Sequence, residues 1–136
     1  MWKLALTLAL MVSVGCAPRW AKWTTAQGVA ALQAASLEVV NPQPMSASDY
    51  GLAPLVATEG KRFVLPSVCA DCSGRLVALP SPAALQQLRT YYESLGKNNA
   101  AFFSWVFVKD NLLLQLNGEL SELEARRYEA ALQSLH

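Results

Sequence analysis

Phe102-Phe103-Ser104-Trp105-Val106-Phe107-Val108-Lys109-Asp110-Asn111-Leu112-Leu113-Leu114-Gln115-Leu116-Asn117 is two apolar runs folded about a polar turn. Alternation in the first run puts Phe103, Trp105 and Phe107 on one face, and Phe102, Ser104, Val106 and Val108 on the other. Both faces are rich enough in apolar groups to suit an interior strand. Lys109-Asp110-Asn111 can reverse the chain, after which Leu112, Leu114 and Leu116 point one way and Leu113, Gln115 and Asn117 the other. The stretch therefore predicts a β-hairpin. Gln115 and Asn117 are the polar positions on its outward face where a partner surface is to be sought.

Working outward, Ser121 with Glu124 three residues on forms a capping-box pattern. A helix follows, its apolar face made by Leu123, Tyr128, Ala131, Leu132 and Leu135. Upstream, Ser81-Pro82 opens a second helix carrying Leu85, Leu88, Tyr92 and Leu95, with Gly96 as its expected stop. Before it, Arg62-Phe63-Val64-Leu65 and Arg75-Leu76-Val77-Ala78-Leu79 read as short strands, each ended by a proline. The order strand-strand-helix thus occurs twice, over 62–95 and 102–135. It predicts an α+β fold: a small antiparallel sheet of about four strands in ββαββα order with both helices packed on one face.

The segment Asn41 to Pro54 holds Pro42, Pro44, Gly51 and Pro54 among serines and reads as a linker. Thr24 to Val40 reads as an alanine-rich helix with a weak apolar stripe of Val29, Leu32 and Leu37. The expected organisation is a leader over 1–15, a membrane-proximal helix and proline-rich linker over 16–54, and the compact domain over 55–136.

The leader expectation rests on Lys3 followed by an apolar run from Leu4 to Val14. A membrane-spanning helix needs about 20 apolar residues, so this run is too short to span and fits a signal peptide. It ends Val12-Ser13-Val14-Gly15-Cys16 and resembles the lipobox of bacterial lipoproteins, with Ser13 where that family prefers an aliphatic residue. The resemblance implies that Cys16 is the lipid-attachment residue and the mature amino terminus. It also implies a protein held on the cell membrane or outer membrane, facing the periplasm or exterior. Cleavage by an ordinary signal peptidase, releasing a soluble chain from Pro18, is the alternative. Trp20 and Trp23 beside Arg19 and Lys22 suit either a lipid headgroup layer or packing on the domain.

Removal of Lys3 leaves ten cations against ten anions, and they are scattered, so no footprint for nucleic acid is present. The expected partners are membrane lipid, through the acylated cysteine, and an envelope protein. One histidine, His136 at the end of the chain, argues against a histidine-based triad. Glu119, Glu122, Glu124 and Glu129 are explained by helix-start charge and pairing with Arg126 and Arg127. Tyr91, Tyr92 and Trp105 suit core packing better than a ligand pocket.

The constellation with chemistry is Cys69-Ala70-Asp71-Cys72. Two thiols so spaced can close a disulfide, hold half a metal site or exchange electrons. A disulfide is expected, because exported chains meet an oxidising compartment and no helix follows the pair to lower a thiol pKa. The reading is a non-catalytic binding or structural envelope protein with no cofactor and no metal. The alternative is a thiol redox or metal-binding module using Cys69 and Cys72.

Overall fold

The structure, a computed structural model, describes residues 19–136. Cys16 and the leader lie outside the described residues. The chain runs α1 (Thr25–Ala34), β1 (Val40–Pro44), β2 (Glu59–Val64), β3 (Ser73–Ala78), α2 (Pro82–Asn98), β4 (Ser104–Lys109), β5 (Leu112–Asn117) and α3 (Glu122–Gln133). Two single-turn 3-10 helices, Ala47–Tyr50 and Ala100–Phe102, sit between these elements. The class is α+β: one antiparallel sheet in the order β1-β2-β3-β5-β4, with three helices.

Five strands stand where four were expected. The fifth, β1, lies in the stretch read as a linker, because prolines are compatible with an edge strand that needs few ladder donors. It pairs with β2 through Val40 opposite Val64 and Gln43 opposite Arg62, with a register shift between, where Asn41 takes φ 50°. The alanine-rich helix is shorter than expected and ends before Ser36, whose φ is 59°. Thr24 and Gln27 cap its start reciprocally. Close approach sets its place on the sheet: a Cβ on Gly28 would collide with the Leu76 side chain. A domain beginning near Leu55 is therefore corrected, since Val29, Leu32 and Leu37 all lie in the core.

Placement of the helices is the second correction. β3 and β5 carry apolar side chains on both faces, in Leu76-Val77-Ala78 and Leu112-Leu113-Leu114, so a sheet covered on one face would leave a row of them in water. α1 and α3 cover one face, packing Leu32, Ala125, Tyr128 and Leu132 on Phe63, Leu76, Leu112, Leu114 and Leu116. α2 covers the other, with Leu85, Leu88 and Tyr92 on Val77, Leu79 and Leu113.

The hairpin forms as expected, with Trp105 opposite Leu116 and Phe107 opposite Leu114. Its first strand is shorter and lies at the sheet edge rather than inside, so Phe102 and Phe103 remain exposed. The interior strands are β3 and β5. Gly96 does not stop α2, which continues to Asn98; at Gly96 a Cβ would stand 3.2 Å from Phe103, so the residue serves the close passage of the next segment. Both serines cap as expected, Ser81 Oγ accepting from the Ala84 amide and Ser121 Oγ from the Glu124 amide, but the capping box at Ser121 is half made, since the Glu124 carboxylate is engaged by Arg127.

Candidate functional site

α2 shields only half of its sheet face. Along β3 and β5 the apolar residues beneath it, Val77 and Leu113, give way on the same face to Arg75, Gln115 and Asn117. The register aligns Arg62 of β2 with Arg75 of β3, and Arg75 with Gln115 of β5. Ser104 stands opposite Asn117. The result is a polar floor of about 540 Å³ of open cleft, within the usual size range of small-ligand sites.

Three segments wall the cleft. On one side is the turn Ser48 to Leu52, whose seat against the sheet depends on Gly60; a Cβ there would stand 2.6 Å from the Tyr50 hydroxyl. Tyr91, Tyr92 and Leu95 of α2 form the roof edge, and Ala101 to Phe103 close the far side. Burial pushes the Tyr92 phenol above its ordinary pKa, and burial together with Asp49 does the same for Tyr50. Both therefore keep their protons at neutral pH.

The charges in the cleft are unequal. Arg75 donates from Nε to the Asp49 carbonyl oxygen at 3.2 Å and from Nη1 to Gln115 Oε1 at 3.0 Å. The Asp49 carboxylate is engaged instead by Ser46, whose backbone amide and hydroxyl donate to it at 2.7 and 3.0 Å. Those two bonds, and then the fields of Arg62 and Arg75, hold its acid below the usual value. Ion pairs among the described residues form elsewhere, at Lys22–Asp110, Arg89–Glu93 and within α3. Neither Arg62 nor Arg75 takes part in one of them.

Cys69 and Cys72 lie in the loop joining β2 to β3, within bonding distance and with Cα atoms 5.1 Å apart. The loop is a compact turn: Val68 and Cys69 amides donate to the Leu65 carbonyl, and the Leu65 amide donates to the Cys72 carbonyl. Cys72 is buried in the core beneath α1 and α3, across the sheet from the cleft, so the two features are separate. A strand follows the pair, not a helix. Among the described residues no three His, Cys, Asp or Glu side chains gather as metal ligands.

The tryptophans of the amino-terminal segment are fastened to the domain. Trp20 Nε1 donates to the Leu79 carbonyl at 2.8 Å, and Trp23 Nε1 to Asp110 at 2.7 Å. Asn111 grips the Trp23 backbone from both sides, accepting from its amide and donating to its carbonyl. The acids of α3 pair with Arg126 and Arg127. His136 bonds only its own chain end, near Ser134. Trp105 is a packing residue, its Nε1 donating to the Leu120 carbonyl.

Gln115 and Asn117, singled out from the alternation of the hairpin, do belong to the cleft floor. Tyr91 and Tyr92 both pack and line it. Arg62 and Arg75 carry no such local signature; they lie thirteen positions apart and become neighbours only through the β2–β3 register. Arginines in otherwise apolar strand runs were the available signal. No protein-family model, curated protein or solved structure matches this chain.

Proposed function

We propose that the chain is a non-catalytic binding protein of a bacterial envelope, tethered through an acylated Cys16, and that the cleft over Arg62, Arg75 and Gln115 is its binding surface. The cleft carries the reading: it sets the apolar side chains of Leu95, Phe102 and Phe103 beside the convergent polar groups of Arg62, Arg75, Gln115 and Asn117, the two kinds of contact by which proteins hold and orient small ligands. Its floor offers hydrogen-bond donors and acceptors but no histidine or thiol, and its one carboxylate is occupied by Ser46. A nucleophile paired with a base, as covalent catalysis requires, is absent from its described lining.

Tethering is supported by the basic start, short apolar run and Gly15-Cys16 junction of the leader. Labelling cells with a radioactive fatty acid tests it, with label expected on the native chain and none on Cys16→Ser. An unlabelled but exported native chain would make this a soluble binding protein. The cleft is tested by a photo-crosslinking residue placed at Ser104 and, as control, at the exposed Leu123 of α3. A discrete adduct from Ser104 alone is expected in intact cells. Equal adducts from both positions, or none from Ser104, would remove the cleft from the reading.

A further inference from the structure

We infer that the cleft receives a small organic oxyanion, a carboxylate or phosphate monoester, with its charged oxygens on Arg62 and Arg75 and its apolar body against Tyr91, Phe102 and Phe103. The inference rests on the cleft being a binding surface and names the class of ligand.

Two observations point the same way. Arg62 and Arg75 are direct cross-strand neighbours, and like charges so placed repel one another. No carboxylate forms an ion pair with either among the described residues, and the nearby Asp49 carboxylate is turned to Ser46. An arriving anion therefore meets two guanidinium groups not neutralised by ion pairs, and its own charge relieves their repulsion. Guanidinium forks match the paired oxygens of carboxylates and phosphates, so the floor has the right kind of donor as well as the sign.

Arg75 is already aimed. Its bonds to the Asp49 carbonyl and Gln115 fix the plane of its guanidinium and leave Nη2 unused by either. Arg62 carries neither of those bonds and is the more adjustable of the two. Tyr50 and Tyr92 remain protonated, so they add donors rather than opposing charge. At the mouth, Phe102 is 61% exposed and Phe103 42% exposed, an apolar rim beside a cationic floor. A bare inorganic anion would leave that rim in water, whereas an anion with a ring or short hydrocarbon body would cover it.

The test follows the arginine Nε–Hε and Gln115 side-chain resonances of the purified full chain by NMR. Phenyl phosphate, phenylacetate and neutral benzyl alcohol are titrated separately. Both anions are expected to shift Arg62, Arg75 and Gln115 and to bind at least tenfold more tightly than the alcohol. Arg62→Gln is expected to weaken the anions at least tenfold without lowering the melting temperature, and Arg62→Lys to restore part of the loss. If benzyl alcohol binds in the cleft as tightly as the anions, or if Arg62→Gln leaves their affinity unchanged, the ligand is not an anion. The cleft then still stands as a binding surface. If neither anion shifts these resonances at about 10 mM, weaker than the millimolar range of simple contacts, the anion assignment falls. The crosslinking at Ser104 decides the broader reading separately.

Discussion

Thr25 places its hydroxyl at the first turn of α1 with 1% of the residue exposed and no hydrogen-bond partner for Oγ1. Its backbone amide is well served, donating to Glu59 Oε1 at 2.7 Å, so the side-chain oxygen alone is stranded. A buried hydroxyl left unpaired costs about 1–3 kcal/mol relative to an apolar group of the same shape. Thr25→Val is therefore expected to stabilise the protein by about 1 kcal/mol, seen as a rise of a few degrees in melting temperature. A fall would mean that the hydroxyl has a bound water whose loss outweighs the gain. Asn111 is the opposite case at the same scale: as deeply buried, but with both ends of its amide used to hold Trp23. Sequence alone does not separate the two, because each is a polar residue that follows another polar residue, Thr24 or Asp110, and only the partner decides whether it helps.

Among the elements, the β2–β3 hairpin carries the Cys69–Cys72 ring and α3 carries Tyr128. The ring spans so few residues that it restricts the unfolded chain little, at most about 2 kcal/mol by loop entropy. Dithiothreitol is expected to lower the melting temperature by a few degrees and leave one cooperative transition in circular dichroism. Loss of that transition would show that the loop cannot close without the bond. Tyr128 donates to the Glu38 carbonyl at 2.7 Å and ties α3 to the segment leading into β1. Burial first, and then the Glu38 charge, push its phenol from 10.0 up to about 12. The protonated form is thus favoured by folding, so this contribution is complete below pH 10 and is lost as pH rises towards and through about 12. Tyr128→Phe is expected to be less stable at pH 8 by about 1 kcal/mol and to lose less between pH 10 and 12. A variant whose stability falls just as steeply would assign that loss to Tyr50 and Tyr92, whose phenols are also raised. The elements that sequence reading places well are those with local signatures: the Ser121 and Ser81 caps, and the alternation that delimits β5. β1 escaped it because Pro42 and Pro44 signal a loop unless a neighbouring strand is known to be available. β4 reads as an interior strand because its edge position depends on β5 pairing with β3 on its other side, which no local pattern encodes. Half of the cleft was legible for the same reason: Gln115 and Asn117 follow from one strand, but Arg62 and Arg75 meet only through register.

At the scale of the whole molecule, burial and not composition sets where the fold begins. Proline-rich residues 41–54 look like a boundary, yet β1 zips onto β2 and the turn after it walls the cleft. α1 shields Leu76 and Leu112 on the far face, where Leu32 is fully buried. A fragment of residues 55–136 keeps four strands and two helices, but it exposes to water the part of that face that α1 covers and leaves β2 as a bare edge. Burying a leucine is worth about 1.5–3 kcal/mol, and several core side chains depend on α1, so the loss rivals a small domain's entire stability of about 5–15 kcal/mol. Residues 19–136 are therefore expected to unfold in one cooperative transition with dispersed amide resonances. Residues 55–136 are expected to give collapsed, poorly dispersed spectra or to aggregate through the bare edge. If the shorter fragment folded with native dispersion, α1 and β1 would be attachments to a self-sufficient core. The walls of the cleft would then be separable from its floor. If it does not fold, floor and walls form one cooperative unit, and whatever the cleft receives is bound by the whole of residues 19–136 and by no smaller part.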